Sequence, residues 1–108
     1  MGKGQNLLQG TLDLLILRAL RDDAMHGYAV AQTIHLLSEE VLVVEEGSLY
    51  PALSRLELDG CISSTWGLSE NNRKAKYYKI TARGKKALTN EQQNWNRLST
   101  AVQQVLAR

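Results

Sequence analysis

Residues 47–60, GSLYPALSRLELDG, hold polar donors at helical spacing. Leu49, Leu53 and Leu56 repeat at i, i+4 and i+7, the mark of a buried helix face. At 100° per residue Pro51, Ser54 and Arg55 turn roughly the other way, with Ser48 and Tyr50 at the flanks. Arginine can donate to a phosphate or in bidentate fashion to guanine. The hydroxyls of Ser48, Tyr50 and Ser54 can bond phosphates or base edges. Pro51 adds a rigid apolar surface that suits a thymine methyl. Each has a plainer role as well. Tyr50 can cap the core edge, and Arg55 can pair with Asp59 at i+4. A shared face opposite three leucines is what makes the set suggestive.

A second concentration of chemistry lies between residues 71 and 90. Arg73, Lys74, Lys76, Lys79, Arg83, Lys85 and Lys86 fall there with no acid among them. The rest of the chain holds 6 basic and 11 acidic residues, so a formal net charge of +2 conceals a basic cluster on an otherwise acidic chain. Such asymmetry suits a polyanion, although a solvated loop and helix start would read the same way. Asn72, Arg73, Lys74 and Lys76 are the candidates nearest the tip of this segment. Arg83, Lys85 and Lys86 are equally well explained as a solvated face.

Enzyme chemistry finds little support. His26 and His35 are nine residues apart, outside the i+3 or i+4 spacing of a helical metal pair. No HExxH, GxSxG, P-loop or GxGxxG is present. Cys61 is the only cysteine, which excludes an internal disulfide and a multi-cysteine zinc site, and it reads as a small residue in or near a strand. No cofactor or metal is expected. The N-terminus lacks a signal-peptide pattern, and the longest apolar run, LLIL, is too short to span a bilayer. A cytoplasmic protein without membrane contact is expected.

These residues need elements to hold them. The chain has 108 residues, enough for one modest core. A first helix is expected from about Thr11, as its N-cap, to Arg21, with Leu12, Leu15, Ile16, Ala19 and Leu20 as its apolar stripe. A second runs from about Tyr28 to Ser38. The third begins at an N-cap Ser48, carries Pro51 in its first turn, and ends at Gly60 in the C′ position. CISSTWGL and KAKYYKIT then alternate as two strands, joined at SENNR. Trp66 ends the first strand, where hairpin packing explains it better than ligand stacking. Thr81 caps a last helix over 82–107. Leu88, Trp95 and Val102 are seven apart, and Leu98 and Val105 fill the alternate positions, so they form a heptad seam that a second copy of the chain would cover. The expected fold is mainly α with a two-stranded β-hairpin: a winged helix-turn-helix over 1–81 and a dimerisation helix over 82–108. The third helix would enter the major groove and the hairpin would reach the adjacent backbone.

GTLDLLILRAL, HGYAVAQTI, GSLYPALSRLELDGCI and RKAKYYKITARGKKAL resemble the PadR family of bacterial transcriptional regulators, in particular its short members. The likeness covers about residues 8–90. It implies a homodimeric repressor on a palindromic double-stranded DNA operator, released by a small hydrophobic or aromatic ligand. Carried across, Ser48, Tyr50, Pro51 and Arg55 match the DNA-reading helix, and Arg73, Lys74 and Lys76 match the basic wing. Tyr28 matches an aromatic residue opening the second helix, which touches a phosphate or packs beneath the third. Trp95 meets a ligand at the dimer centre or is plain interface core. With one long helix at the end of the sequence, no separate effector domain is expected. The rival reading is a winged helix that binds protein rather than DNA.

Overall fold

The computed structural model describes residues 2–108, with side chains from residue 10 onward. The elements are α1 (Gly2–Ala19), β1 (Met25–His26), α2 (Gly27–Leu37), α3 (Glu46–Leu58), β2 (Ile62–Leu68), β3 (Lys74–Ile80) and α4 (Ala82–Leu106). Three helices, a small sheet and the first turns of α4 enclose the core, and the rest of α4 leads away from it.

α1 begins at Gly2, so Thr11 lies within the helix rather than capping it. Leu12, Ile16, Leu17 and Leu20 form its buried stripe. α2 is capped by His26, whose Nδ1 accepts the Ala29 N–H at 3.2 Å. Its Val30 and Ile34 face the core.

α3 starts earlier than its hydroxyl pattern suggests. Glu45 is the N-cap and uses its backbone alone, its carbonyl accepting the N–H groups of Ser48 and Leu49 at 3.0 and 2.9 Å. Ser48 therefore sits inside the first turn, and Pro51 falls in the second. The donor that Pro51 lacks would have bonded the carbonyl of Gly47, an exposed residue, so the loss is met by solvent. The far end closes as expected. Gly60 has φ +77°, its N–H bonds Glu57 O at 3.0 Å, and the Cys61 N–H bonds Leu56 O at 2.9 Å. This is the Schellman pattern, which favours glycine at C′.

The sheet has three antiparallel strands in the order β1-β3-β2, not the two of a lone hairpin. Met25 pairs with Tyr78 and His26 with Tyr77, which ties the start of α2 to the wing. Two residues are too few to show strand periodicity, so β1 exists only through its partner. In the hairpin, Ile62 pairs with Ile80, Ser64 with Tyr78, Trp66 with Lys76 and Leu68 with Lys74.

The start of α4 is fastened to the α3–β2 junction. Thr81 Oγ1 accepts the Gly84 N–H at 3.0 Å and donates to Gly60 O at 2.7 Å, while the Thr81 N–H bonds Cys61 O at 3.0 Å. A Cβ at Gly84 would lie 2.0 Å from Cys61 O, a backbone atom that cannot swing aside. Leu88 follows into the core and is 6% exposed. It thus packs within its own chain rather than on a seam shared with a second copy. Beyond it the apolar row of Trp95, Leu98, Val102 and Val105 stays exposed. The 25 residues of α4 run about 37 Å, giving the molecule a longest dimension of 55 Å.

The Gly84 contact sets a stability test. Gly84→Ala should lower the unfolding free energy by about 3 kcal/mol through forced displacement of the junction, read from urea denaturation. A loss below ~0.5 kcal/mol, the scale of a neutral surface change, would show that the junction yields freely.

Candidate nucleic-acid interface

Burial of Leu49, Ala52, Leu53 and Leu56 sets the rotation of α3 about its axis. Ser48, Pro51, Ser54 and Leu58 are left exposed, and Leu58 is 87% accessible despite being apolar. Tyr50 combines the two roles open to it. Its ring covers the start of α2, where a Cβ at Gly27 would meet Tyr50 Cε1 at 2.8 Å, yet the residue remains 42% exposed.

The flanks of α3 carry opposite charge, and each is engaged. Arg55 Nη2 donates to Asp13 Oδ1 of α1, a partner 42 residues away in sequence, rather than to Asp59 at i+4. Arg55 is half-buried there and is not a free member of the outward face. Burial pushes the Asp13 carboxyl above its ordinary range. The Arg55 charge opposes that shift without cancelling it, and Glu91 and Asp59 add to it. On the opposite flank Glu57 accepts from Ser64 Oγ and lies 3.3 Å from Lys76 Nζ. The Ser64 hydrogen bond and then Lys76 hold the Glu57 carboxyl below its ordinary range. Lys76 also lies 5.8 Å over the Tyr78 ring. Its charge is therefore compensated on the wing face that meets α3.

The tip differs. The Ser69 N–H bonds Arg73 O at 2.8 Å and the Asn72 N–H bonds Ser69 O at 3.0 Å, closing a tight loop. Asn72 has φ +60°, a left-handed position that asparagine tolerates, so its first role is to make the turn. Arg73 and Lys74 are exposed and form no ion pair among the described residues. Tyr28, 61% exposed, stacks on His26 with centroids 6.4 Å apart, and His26 meets the Tyr77 ring edge-on at 5.6 Å. Trp66 does not pack into the hairpin as its strand position suggested, being 69% exposed. No cluster of metal-ligating side chains occurs among the described residues, and none of their helices is long and apolar enough to cross a membrane.

The outward side of α3 and the basic wing tip are thus carried on one scaffold of three helices and a hairpin. Residues 16–90 match the transcriptional regulator PadR-like family. The chain belongs to that family. Solved relatives share the architecture over nearly their whole length. A transcriptional regulator from Clostridium thermocellum is 29% identical with a TM-score of 0.82, covering 92% of this chain and 96% of that one. A PadR-like transcription factor from Bacteroides fragilis is 30% identical with a TM-score of 0.77, covering 97% and 99%. A PadR-like regulator from Bacillus cereus is 32% identical with a TM-score of 0.75, covering 94% and 96%. In this PadR-like winged helix, α2 and α3 form the helix-turn-helix and β2 with β3 forms the wing. It is a regulator fold, not that of an enzyme.

Sequence reasoning placed the donors of α3 and the wing but missed Asp13 and Glu57, the acids that hold two of them. Nothing local marks Asp13 as a partner of Arg55. Glu57, one residue from Leu56 and opposed to a basic strand, was the more readable of the two.

The Glu57–Lys76 pair has a pH signature. Because the folded carboxyl titrates lower than the unfolded one, its stabilisation is present above the ordinary glutamate range and is lost as pH falls through the lower, folded value. A double-mutant cycle of Glu57→Gln and Lys76→Ala should give a coupling of about 0.5 kcal/mol at neutral pH, since both side chains are about one third exposed and screened. At strongly acidic pH the coupling should vanish. A coupling that persists in acid would assign the contact to packing.

Proposed function

We propose that this chain is a sequence-specific, double-stranded DNA-binding repressor acting as a homodimer in the cytoplasm. The observation that carries the reading is the pairing of an exposed polar side on α3 with exposed Arg73 and Lys74 at the wing tip, which form no ion pair among the described residues. Ser48, Tyr50, Pro51 and Ser54 face the major groove, Arg73 and Lys74 take phosphates beside it, and Tyr28 adds a backbone contact. Arg55 chiefly fastens α3 to α1. Asn72 shapes the turn and Lys76 ties the wing to α3 through Glu57. Residues 1–81 provide the reading domain. Residues 82–108 provide the pairing helix, whose seam of Trp95, Leu98, Val102 and Val105 meets its own copy and sets a palindromic operator. Two tryptophans brought together at the centre of such a seam would offer a stacking site for a small hydrophobic or aromatic ligand that releases the DNA.

Fluorescence anisotropy with a duplex selected from a random library tests the reading. Affinity should fall steeply with salt, with a log–log slope of about −0.9 for each phosphate neutralised. Lys74→Ala should weaken all duplexes alike and reduce that slope by about one per subunit, whereas Ser54→Ala should change sequence preference with the slope intact. Absence of duplex binding at low salt would refute the proposal. Truncation after Asn90 keeps Leu88 in the core and removes the seam. It should give a folded monomer by sedimentation and a duplex affinity lower by about a hundredfold. A full-length chain that sediments as a monomer at micromolar concentration would refute the dimer.

A further inference from the structure

The wing carries an apolar edge that the fold does not use. Trp66 and Leu68 are 69% and 65% exposed, near the end of a strand whose first residue, Ile62, is buried. Residues directly opposite one another in an antiparallel pair share a face. Trp66 opposite Lys76 and Leu68 opposite Lys74 therefore lie on the face that also carries Ile62, Ser64, Tyr78 and Ile80. Ser64 and Lys76 both contact Glu57 of α3, so this is the face turned toward the proposed reading helix. It runs out from the core, past α3, and ends in Trp66, Leu68 and Lys74.

That end is held in shape. The Tyr77 hydroxyl donates to Leu68 O at 2.9 Å, and the Tyr77 ring lies across Gly67 on the other face of the hairpin. Thus Trp66 and Leu68 are presented on a stiffened strand end rather than on a loose loop. An exposed indole beside an exposed leucine keeps a large apolar area in water, a cost that a bound partner can relieve. The surrounding charge selects that partner. Lys74 interrupts the apolar surface and Arg73 adjoins it, and neither forms an ion pair among the described residues, although Glu70 lies in the same loop. A purely apolar protein helix would bury Lys74 against nothing. A strand of duplex DNA alternates phosphate oxygens with deoxyribose carbons and matches both kinds of group.

We infer that Trp66 and Leu68 are DNA-contacting residues of the wing, lying against the deoxyribose edges of one strand while Lys74 takes the adjoining phosphate. This rests on the DNA-binding function proposed above and adds an uncharged, shape-dependent contact to it.

The two tryptophans of the chain give a direct test. Fluorotryptophan labelling of the whole chain yields two resonances in fluorine NMR, and Trp66→Phe identifies that of Trp66. Adding the selected duplex should move the Trp66 resonance in step with the anisotropy titration. Trp66→Ala, at an exposed site that leaves the core intact, should lower duplex affinity by about tenfold. Its salt slope should match that of the unaltered chain, because no charge is lost. Duplex binding by anisotropy with an unmoved Trp66 resonance and full affinity in Trp66→Ala would overturn the inference and leave the DNA-binding reading standing. No duplex binding by the unaltered chain would overturn both.

Discussion

Four apolar side chains on one helix, Leu49, Ala52, Leu53 and Leu56, constrain everything that α3 can present. Once they are buried, the helix cannot rotate without exposing them, and Pro51 and Ser54 are turned outward by geometry alone. Rotation is only one of the freedoms that must be fixed. Tilt and position are held at the flanks, by Arg55 to Asp13 of α1 on one side and by Glu57 to Ser64 and Lys76 on the other. Tyr50 over Gly27 sets the distance to α2. The leucines supply most of the energy, since partly exposed ion pairs contribute little individually. The polar contacts supply direction.

The same contacts redistribute charge. The sequence counts seven basic residues between 71 and 90, but they are not equivalent in the fold. Lys76 is drawn to Glu57, whereas Arg73 and Lys74 at the tip, which share their loop with Glu70, form no ion pair among the described residues, and neither do Lys79, Arg83, Lys85 and Lys86. The positive field therefore extends from the hairpin tip to the start of α4, with the charge of Lys76 compensated between them.

How much could be read in advance follows from the range of each interaction. The leucine stripe of α3, the Gly60 stop, the Thr81 cap and the two hairpin strands with the turn between them all depend on residues within a few positions of one another, and these agree with the fold. The start of α3 does not, because Glu45 caps through its backbone and leaves no side-chain signature. Thr11 looked like a cap only because the helix preceding it was not recognised. β1 is two residues long and is defined by a strand some fifty residues away. Arg55 and Leu88 illustrate the same limit at the level of side chains. Their spacing placed them on an outward face and on a heptad seam, yet one finds Asp13 and the other finds the core of its own domain. Periodicity tells which side of a helix a residue occupies; it does not tell what stands opposite.

The free length of α4 has a consequence for how the molecule is ordered. Past Leu88, apart from Ser99, its side chains lie exposed to solvent, and a helical segment of that length without tertiary packing is marginal in water. Whatever covers the row from Trp95 to Val105 therefore supplies helical order as well as contact area, and binding and folding of this segment share one equilibrium. With the second copy proposed above as that partner, the amount of rigid α4 would follow the concentration of the chain itself. The domain that holds α3 and the wing, with its own closed core, keeps its shape on dilution.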